Sequence, residues 1–124
     1  MRLLLDTHAF LWWRDESPRL PAPIGERISD PENDILISIV SLWEITVKRG
    51  LGKLRFDEDF EEVMAQEGFS LLTVSYAHLR ALGSLPRLHR DPFDRLLIAQ
   101  AIADNLPMAT NDRDMTRYAV KTVW

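Results

Sequence analysis

Four acidic residues fall where apolar runs of the chain end. Asp6 closes Leu3-Leu4-Leu5, and Glu44 lies six residues past Ile35-Leu36-Ile37-Ser38. Asp94 opens the helical run Leu96-Leu97-Ile98-Ala99, and Asp112 follows Met108-Ala109-Thr110. The carboxyl ends of parallel strands in an open α/β sheet line one crevice, so acids far apart in sequence converge there. Converging carboxylates repel one another, and a bound hard cation is the usual physical reason to tolerate them. The pattern suits metal-dependent enzyme chemistry, with Asp6, Glu44, Asp94 and Asp112 as candidate ligands.

Each acid also has a plain structural explanation. Aspartate is a favoured helix N-cap, which accounts for Asp6; Thr7 and His8 add polar groups to the same turn. Ser41-Leu42-Trp43-Glu44 matches a capping box, so local evidence favours Glu44 as part of a cap. Against that, Trp43 and Ile45 flank it with apolar bulk, which costs desolvation unless something cationic meets it. Asp91 before Pro92 is the stronger cap of its helix, which leaves Asp94 at the third helical position as the ligand; in an alternative reading both reach the metal, one through water. Asn-Asp clusters form ordinary turns, as Thr110-Asn111-Asp112-Arg113-Asp114 would. Asp112 is nearer the strand end than Asp114, and Thr110 and Asn111 are placed to hydrogen-bond a water or phosphate.

The elements that must position these residues follow from patterning. Continuous apolar runs bounded by polar residues predict buried parallel strands at 2–5 and 35–38. Further strands are expected at 69–74, 108–110 and 120–123, and helices at 7–14, in a stretch running to about Ser29, from Ser41 to Gly50 or Gly52, 57–66, 76–85 and 91–105. A brief helix or turn fits 113–117. Strands alternating with helices imply an α/β fold: a central, mostly parallel sheet of about five strands flanked by helices in three layers.

At 124 residues the chain is expected to form a single domain spanning 1–124. It has no cysteine, which excludes disulfide stapling and any thiolate site. No apolar run approaches membrane-spanning length and the start is too short for a signal peptide, so the expectation is a cytoplasmic protein without membrane association. The net charge of −4 hides a basic central stretch: Lys48, Arg49, Lys53, Arg55, Arg80, Arg87, Arg90 and Arg95 are eight of fifteen basic residues. An anionic polymer is therefore not excluded as substrate.

His8, His78 and His89 lack the i, i+4 pairing of a zinc site, and His89 reads as a surface loop residue, phosphate contact being the alternative. Trp12, Trp13 and Trp43 sit at helical positions and read as core. The acidic run 57–62 reads as a solvated helix start.

Taken together, Leu3-Leu4-Leu5-Asp6-Thr7-His8-Ala9, Ser38 with Ser41-Leu42-Trp43-Glu44-Ile45, Lys48-Arg49-Gly50-Leu51-Gly52-Lys53-Leu54, His89-Arg90-Asp91-Pro92-Phe93-Asp94-Arg95-Leu96-Leu97-Ile98-Ala99-Gln100-Ala101 and Thr110-Asn111-Asp112 resemble the PIN domain, and within it the VapC-type toxins of toxin–antitoxin operons. The similarity runs along essentially the whole chain. It implies a PIN fold and a Mg²⁺-dependent endoribonuclease (Mn²⁺ being the alternative ion) restrained by an antitoxin and forming a homodimer. The family's acids fall on Asp6, Glu44, Asp94 and Asp112, with Asp114 competing for the fourth place. Beside them Lys48, Arg49, Lys53 and Arg95 are candidate RNA contacts, and Thr7, Thr110 and Asn111 polar support. The rival reading is a catalytically degenerate PIN-like module acting through protein or RNA contacts. A receiver-like or phosphatase domain is disfavoured because no lysine directly follows Thr110.

Overall fold

Leu3, Leu4 and Leu5 are all fully buried, as a strand with neighbours at both edges and helices on both faces requires. The computed structural model describes residues 1–124. The order is β1 (Arg2–Leu5), α1 (Thr7–Arg14), α2 (Ala22–Ser29), β2 (Asp34–Ser38), α3 (Ile39–Gly50), α4 (Phe60–Glu67), β3 (Ser70–Leu72), α5 (Tyr76–Ser84), α6 (Pro92–Ala103), β4 (Met108–Ala109), a 3₁₀ turn at Met115–Arg117 and β5 (Thr122–Val123). The strands form one sheet in the order β3-β2-β1-β4-β5, and every neighbouring pair is parallel.

Alternation along the strands divides the apolar residues between two cores. Leu3, Leu5, Ile35 and Ile37 pack with Phe10 of α1, Ile24 and Ile28 of α2, Ile45 of α3 and Val63 of α4. Leu4, Leu36 and Met108 pack on the other face with Leu97, Ile98 and Ala101 of α6. The result is the three-layer architecture that the alternation of elements predicts.

Several boundaries differ from the sequence reading, each for a local reason. Helix α3 starts at Ile39, because the Ser38 side chain accepts the Val40 N–H and is the cap. The expected capping box at Ser41 and Glu44 does not form: Ser41 lies inside the first turn, fully buried. Helix α4 starts at Phe60 rather than Asp57 because Asp59 supplies the cap. It ends as expected at Gly68, whose φ of 69° is left-handed. Strand β3 keeps only the three residues that pair with β2, and α6 stops at Ala103.

From β1 the chain builds outward through β2 to β3, then crosses to the other side of β1 for β4 and β5. The crossing makes a switch point at the carboxyl ends of β1 and β4, where such folds form their crevice. A buried polar chain ties α6 and α5 to this region: Ser38 Oγ donates to Gln100 Oε1, the Gln100 amide donates to the Thr73 carbonyl, and His78 Nε2 meets Asp104 at 2.9 Å.

Candidate metal and active site

Asp6 is the first residue past β1, at the switch point, and is 4% exposed. Its carboxylate accepts the Ala9 N–H at 2.7 Å, so it does cap α1. Burial raises its pKa above the ordinary carboxylate value, partly offset by hydrogen bonds from Thr110 and the Ala9 amide, while Asp112 raises it further. A cap alone would be more comfortable exposed; this one is desolvated beside another acid.

Glu44 comes from the second turn of α3 and is 3% exposed. Both of its oxygens are engaged. Oε1 accepts the Thr7 hydroxyl at 2.7 Å, and Oε2 meets Lys48 Nζ at 2.5 Å, one helical turn on. Thr7 Oγ1 is also 2.9 Å from Ser41 Oγ. A hydroxyl has one proton, so Thr7 gives its own to Glu44 and takes that of Ser41. The hydrogen bond from Lys48 to Glu44 raises the lysine's pKa, and Asp91 and Asp94 add to the effect, so this ammonium stands among three acids.

Asp94 is the third residue of α6, and Asp91 caps that helix by accepting the N–H groups of Phe93 and Asp94 at 2.8 and 3.1 Å. Burial, then the charges of Asp91 and Glu44, push the pKa of Asp94 up to about 7; His89 opposes the shift and Asp112 adds to it. Asp112 follows β4, with its N–H on Thr110 Oγ1 at 3.0 Å. It acts electrostatically on both Asp6 and Asp94. Asp114 is exposed and faces Arg117, and its N–H donates to Asp112 Oδ1 at 2.8 Å.

The four acids thus surround one crevice without collapsing onto one point. No three of them bring ligand atoms within 4.8 Å of one another, whereas His89, Asp112 and Asp114 do. An oxygen-only set of carboxylates, Asp6 and Glu44 buried and Asp94 and Asp112 partly so, fits a hard divalent cation.

The remaining sequence candidates scatter. Lys48 is in the crevice. Arg49 turns toward α4, donating to the Phe56 carbonyl and lying over the Phe60 ring. Arg95 is half-buried and donates to the Leu85 carbonyl, while Lys53 and Asn111 are exposed. Trp43 corrects the sequence reading: it is 52% exposed, edge-on to Phe93 at 4.6 Å between ring centres. Trp12 and Trp13 are half-buried, Trp13 donating its indole N–H to Glu67. In the acidic run Asp59 caps α4, and Glu58 pairs with Arg14.

His89 is the residue that sequence reasoning placed wrongly. Its side chain is 12% exposed rather than on the surface, and Nε2 stands 2.9 Å from Asp94 and 3.6 Å from Asp112. The available signal was its position two residues before the cap of α6, which turns a side chain back over the helix start. A groove of about 630 Å³ lies elsewhere, between Leu42 of α3, Phe60 and Met64 of α4, and Leu71 of β3. It is apolar and carries none of the acids.

No curated protein matches the chain. Solved structures share its fold, among them two VapBC complexes. A chain of the crystal structure of VapBC2 from Rickettsia felis bound to a DNA fragment from their promoter aligns with a TM-score of 0.69 and 18% identity, covering 100% of this chain and 99% of that one. A chain of DNA-bound VapBC from Salmonella typhimurium aligns with a TM-score of 0.63 and 15% identity over 99% and 97% of the two chains. The family model described as PIN domain matches residues 3–121, so the chain belongs to the PIN domain family.

Proposed function

We propose that the protein is a Mg²⁺- or Mn²⁺-dependent endoribonuclease, the toxin of a type II toxin–antitoxin pair. The observation that carries this reading is the gathering of Asp6, Glu44, Asp94 and Asp112 around the switch point, where they raise one another's pKa values, with the Lys48 ammonium paired to Glu44 beside them. Folding burial against repulsion is costly, and such a cost persists where a ligand relieves it.

Asp6, Asp94 and Asp112 would hold the ion, with Glu44 beside them. When bound, such an ion activates a water molecule and neutralises charge on a scissile phosphate. The chain's own residues do the rest. Thr7 and Lys48 fix the Glu44 carboxylate, and Asp91 sets the start of α6 so that Asp94 enters the crevice at a defined angle. Lys48 is the cation nearest the acids and the one best placed to meet a phosphate oxygen, with Lys53 free in solvent beyond the end of α3.

Two apolar surfaces support protein partners. Ile39, Trp43, Val47 and Leu51 are exposed at four-residue intervals along α3, a stripe suited to a second copy of the chain. The groove beside α4 suits an apolar segment of an antitoxin. The VapBC complexes with the same fold support this assignment by analogy.

The test is incubation of purified protein with total RNA, with Mg²⁺ or with EDTA, followed by analysis of the new ends. Cleavage that needs the ion and leaves 5′-phosphate and 3′-hydroxyl ends is expected. Cleavage that survives EDTA, or 2′,3′-cyclic phosphate ends, would defeat the reading.

A further inference from the structure

His89 stands two residues before Asp91, the cap of α6, and is not one of the four acids that would hold the ion. Its ring is held at one nitrogen, and the other is buried without a hydrogen-bond partner. Nδ1 accepts the backbone N–H of Asp91 at 3.1 Å. Nε2 is buried, 2.9 Å from Oδ2 of Asp94 and 3.6 Å from Oδ2 of Asp112, yet squarely aligned with neither. A backbone N–H can only donate, so Nδ1 presents a lone pair and the ring proton resides on Nε2. An imidazole that ligates a metal does so through an unprotonated nitrogen and donates through the other. Here the roles are reversed. The closeness of His89 to Asp112 and Asp114 therefore does not make it a ligand.

We infer that His89 is a positioning residue whose Nε2–H bridges the Asp94 and Asp112 carboxylates and presets them for a divalent cation. The inference rests on the proposed role of those acids as metal ligands. Left to themselves, two neighbouring carboxylates turn apart; a neutral N–H donor between them draws one oxygen of each inward without adding a charge that would oppose the metal. Asp91 then serves twice. Its side chain caps α6, and its backbone N–H fixes which nitrogen of His89 carries the proton. The segment from His89 to Asp94 becomes one device: tautomer lock, helix cap and ligand within a single turn.

The test is Mn²⁺ binding to the whole protein, read by titration calorimetry and by electron-spin-echo spectroscopy for nitrogen bound to the ion. The unchanged protein is expected to bind Mn²⁺ with no directly coordinated histidine nitrogen. H89F keeps a ring but has no donor, and should weaken Mn²⁺ binding about 10–100-fold, the usual effect of losing an outer partner of a ligand. H89Q returns an N–H near the former Nε2 and should recover most of that loss. A histidine nitrogen signal that vanishes in H89Q overturns the inference, as does an equal loss in both variants. The spectrum of the unchanged protein decides the ligand question whether or not H89F folds. Failure of the unchanged protein to bind Mn²⁺ at all overturns the metal reading itself, a different failure from the loss of this role alone.

Discussion

Asp94→Asn in EDTA separates a crevice of repelling acids from a set of ordinary caps. Burial, Asp91 and Glu44 push Asp94 from 3.8 up to about 7 in the folded chain. At about 1.4 kcal/mol per pH unit, a rise of roughly three units corresponds to about 4 kcal/mol. Asp94 titrates together with its neighbours and keeps some contact with solvent, so about half of that, ~2 kcal/mol, is the reasonable expectation. The sign is set by the folded value lying above the unfolded one. Below about pH 4 the group is protonated in both states, and stability is unaffected. Between about 4 and 7 only the unfolded chain ionises, so stability falls as pH rises, and above 7 the loss is complete. Asparagine mimics the neutral acid throughout. Urea unfolding should therefore show the variant more stable than the parent by ~2 kcal/mol at pH 8 and equal to it at pH 4. Added Mg²⁺ should stabilise the parent and not the variant, and RNA cleavage should be lost. A variant no more stable than the parent at pH 8, or a gain of the same size at pH 4, would refute the argument.

Three other perturbations read different parts of the site. Thr7→Val keeps the shape of a buried side chain but removes the donor to Glu44; it should cost about 1–3 kcal/mol in urea unfolding and lower cleavage. A neutral effect would show that Thr7 does not hold the glutamate. In a cleavage-dead background, Lys48→Gln should reduce the slope of log RNA affinity against log salt by about one, while Arg49→Gln, engaged at the Phe56 carbonyl, should leave it unchanged; the reverse pattern would place the RNA on the other side of α3. Val47→Glu, in the exposed stripe of α3, should leave the melting temperature nearly unchanged but shift sedimentation toward the monomer. Unaltered sedimentation would remove that stripe from the interface.

How much of this was legible in the sequence differs between frame and site. The element order was legible because each β-strand is a short apolar run between polar or glycine punctuation, and Leu3-Leu4-Leu5 has no other comfortable home than the middle of a parallel sheet. Asp91 was legible as a cap because its proline neighbour fixes where α6 starts. Helix α3 was misread at its start because Ser38 and Ser41 offer equivalent capping chemistry. Which serine caps is decided by where β2 stops pairing with β1, at Ile37, a tertiary fact. Once Ser38 takes the cap, Ser41 turns inward to Thr7, and Glu44 moves from the helix edge to its second turn. Trp43 lies on the open side of α3, off the face that buries Leu42, Glu44 and Ile45.

The site residues that escaped local reasoning share a cause. His89 read as a loop histidine and Lys48 as a candidate RNA contact, and in neither case did the sequence show the acids that other elements bring to them. Lys48 meets Glu44 within α3 but also feels Asp91 and Asp94 from the start of α6. His89 precedes α6 but reaches Asp112 beyond β4. Neither side chain offsets the acids completely, as the raised value of Asp94 records. A fold selected for stability alone would replace such a cluster with apolar or singly paired groups. Here the repulsion is carried by a frame that can bear it: two apolar cores on either face of β1, and the buried Ser38–Gln100 link that anchors the cap of α3 to α6. Rigid elements outside and unrelieved charge inside are what a crevice needs if it is to wait for a cation with its carboxylates already in place.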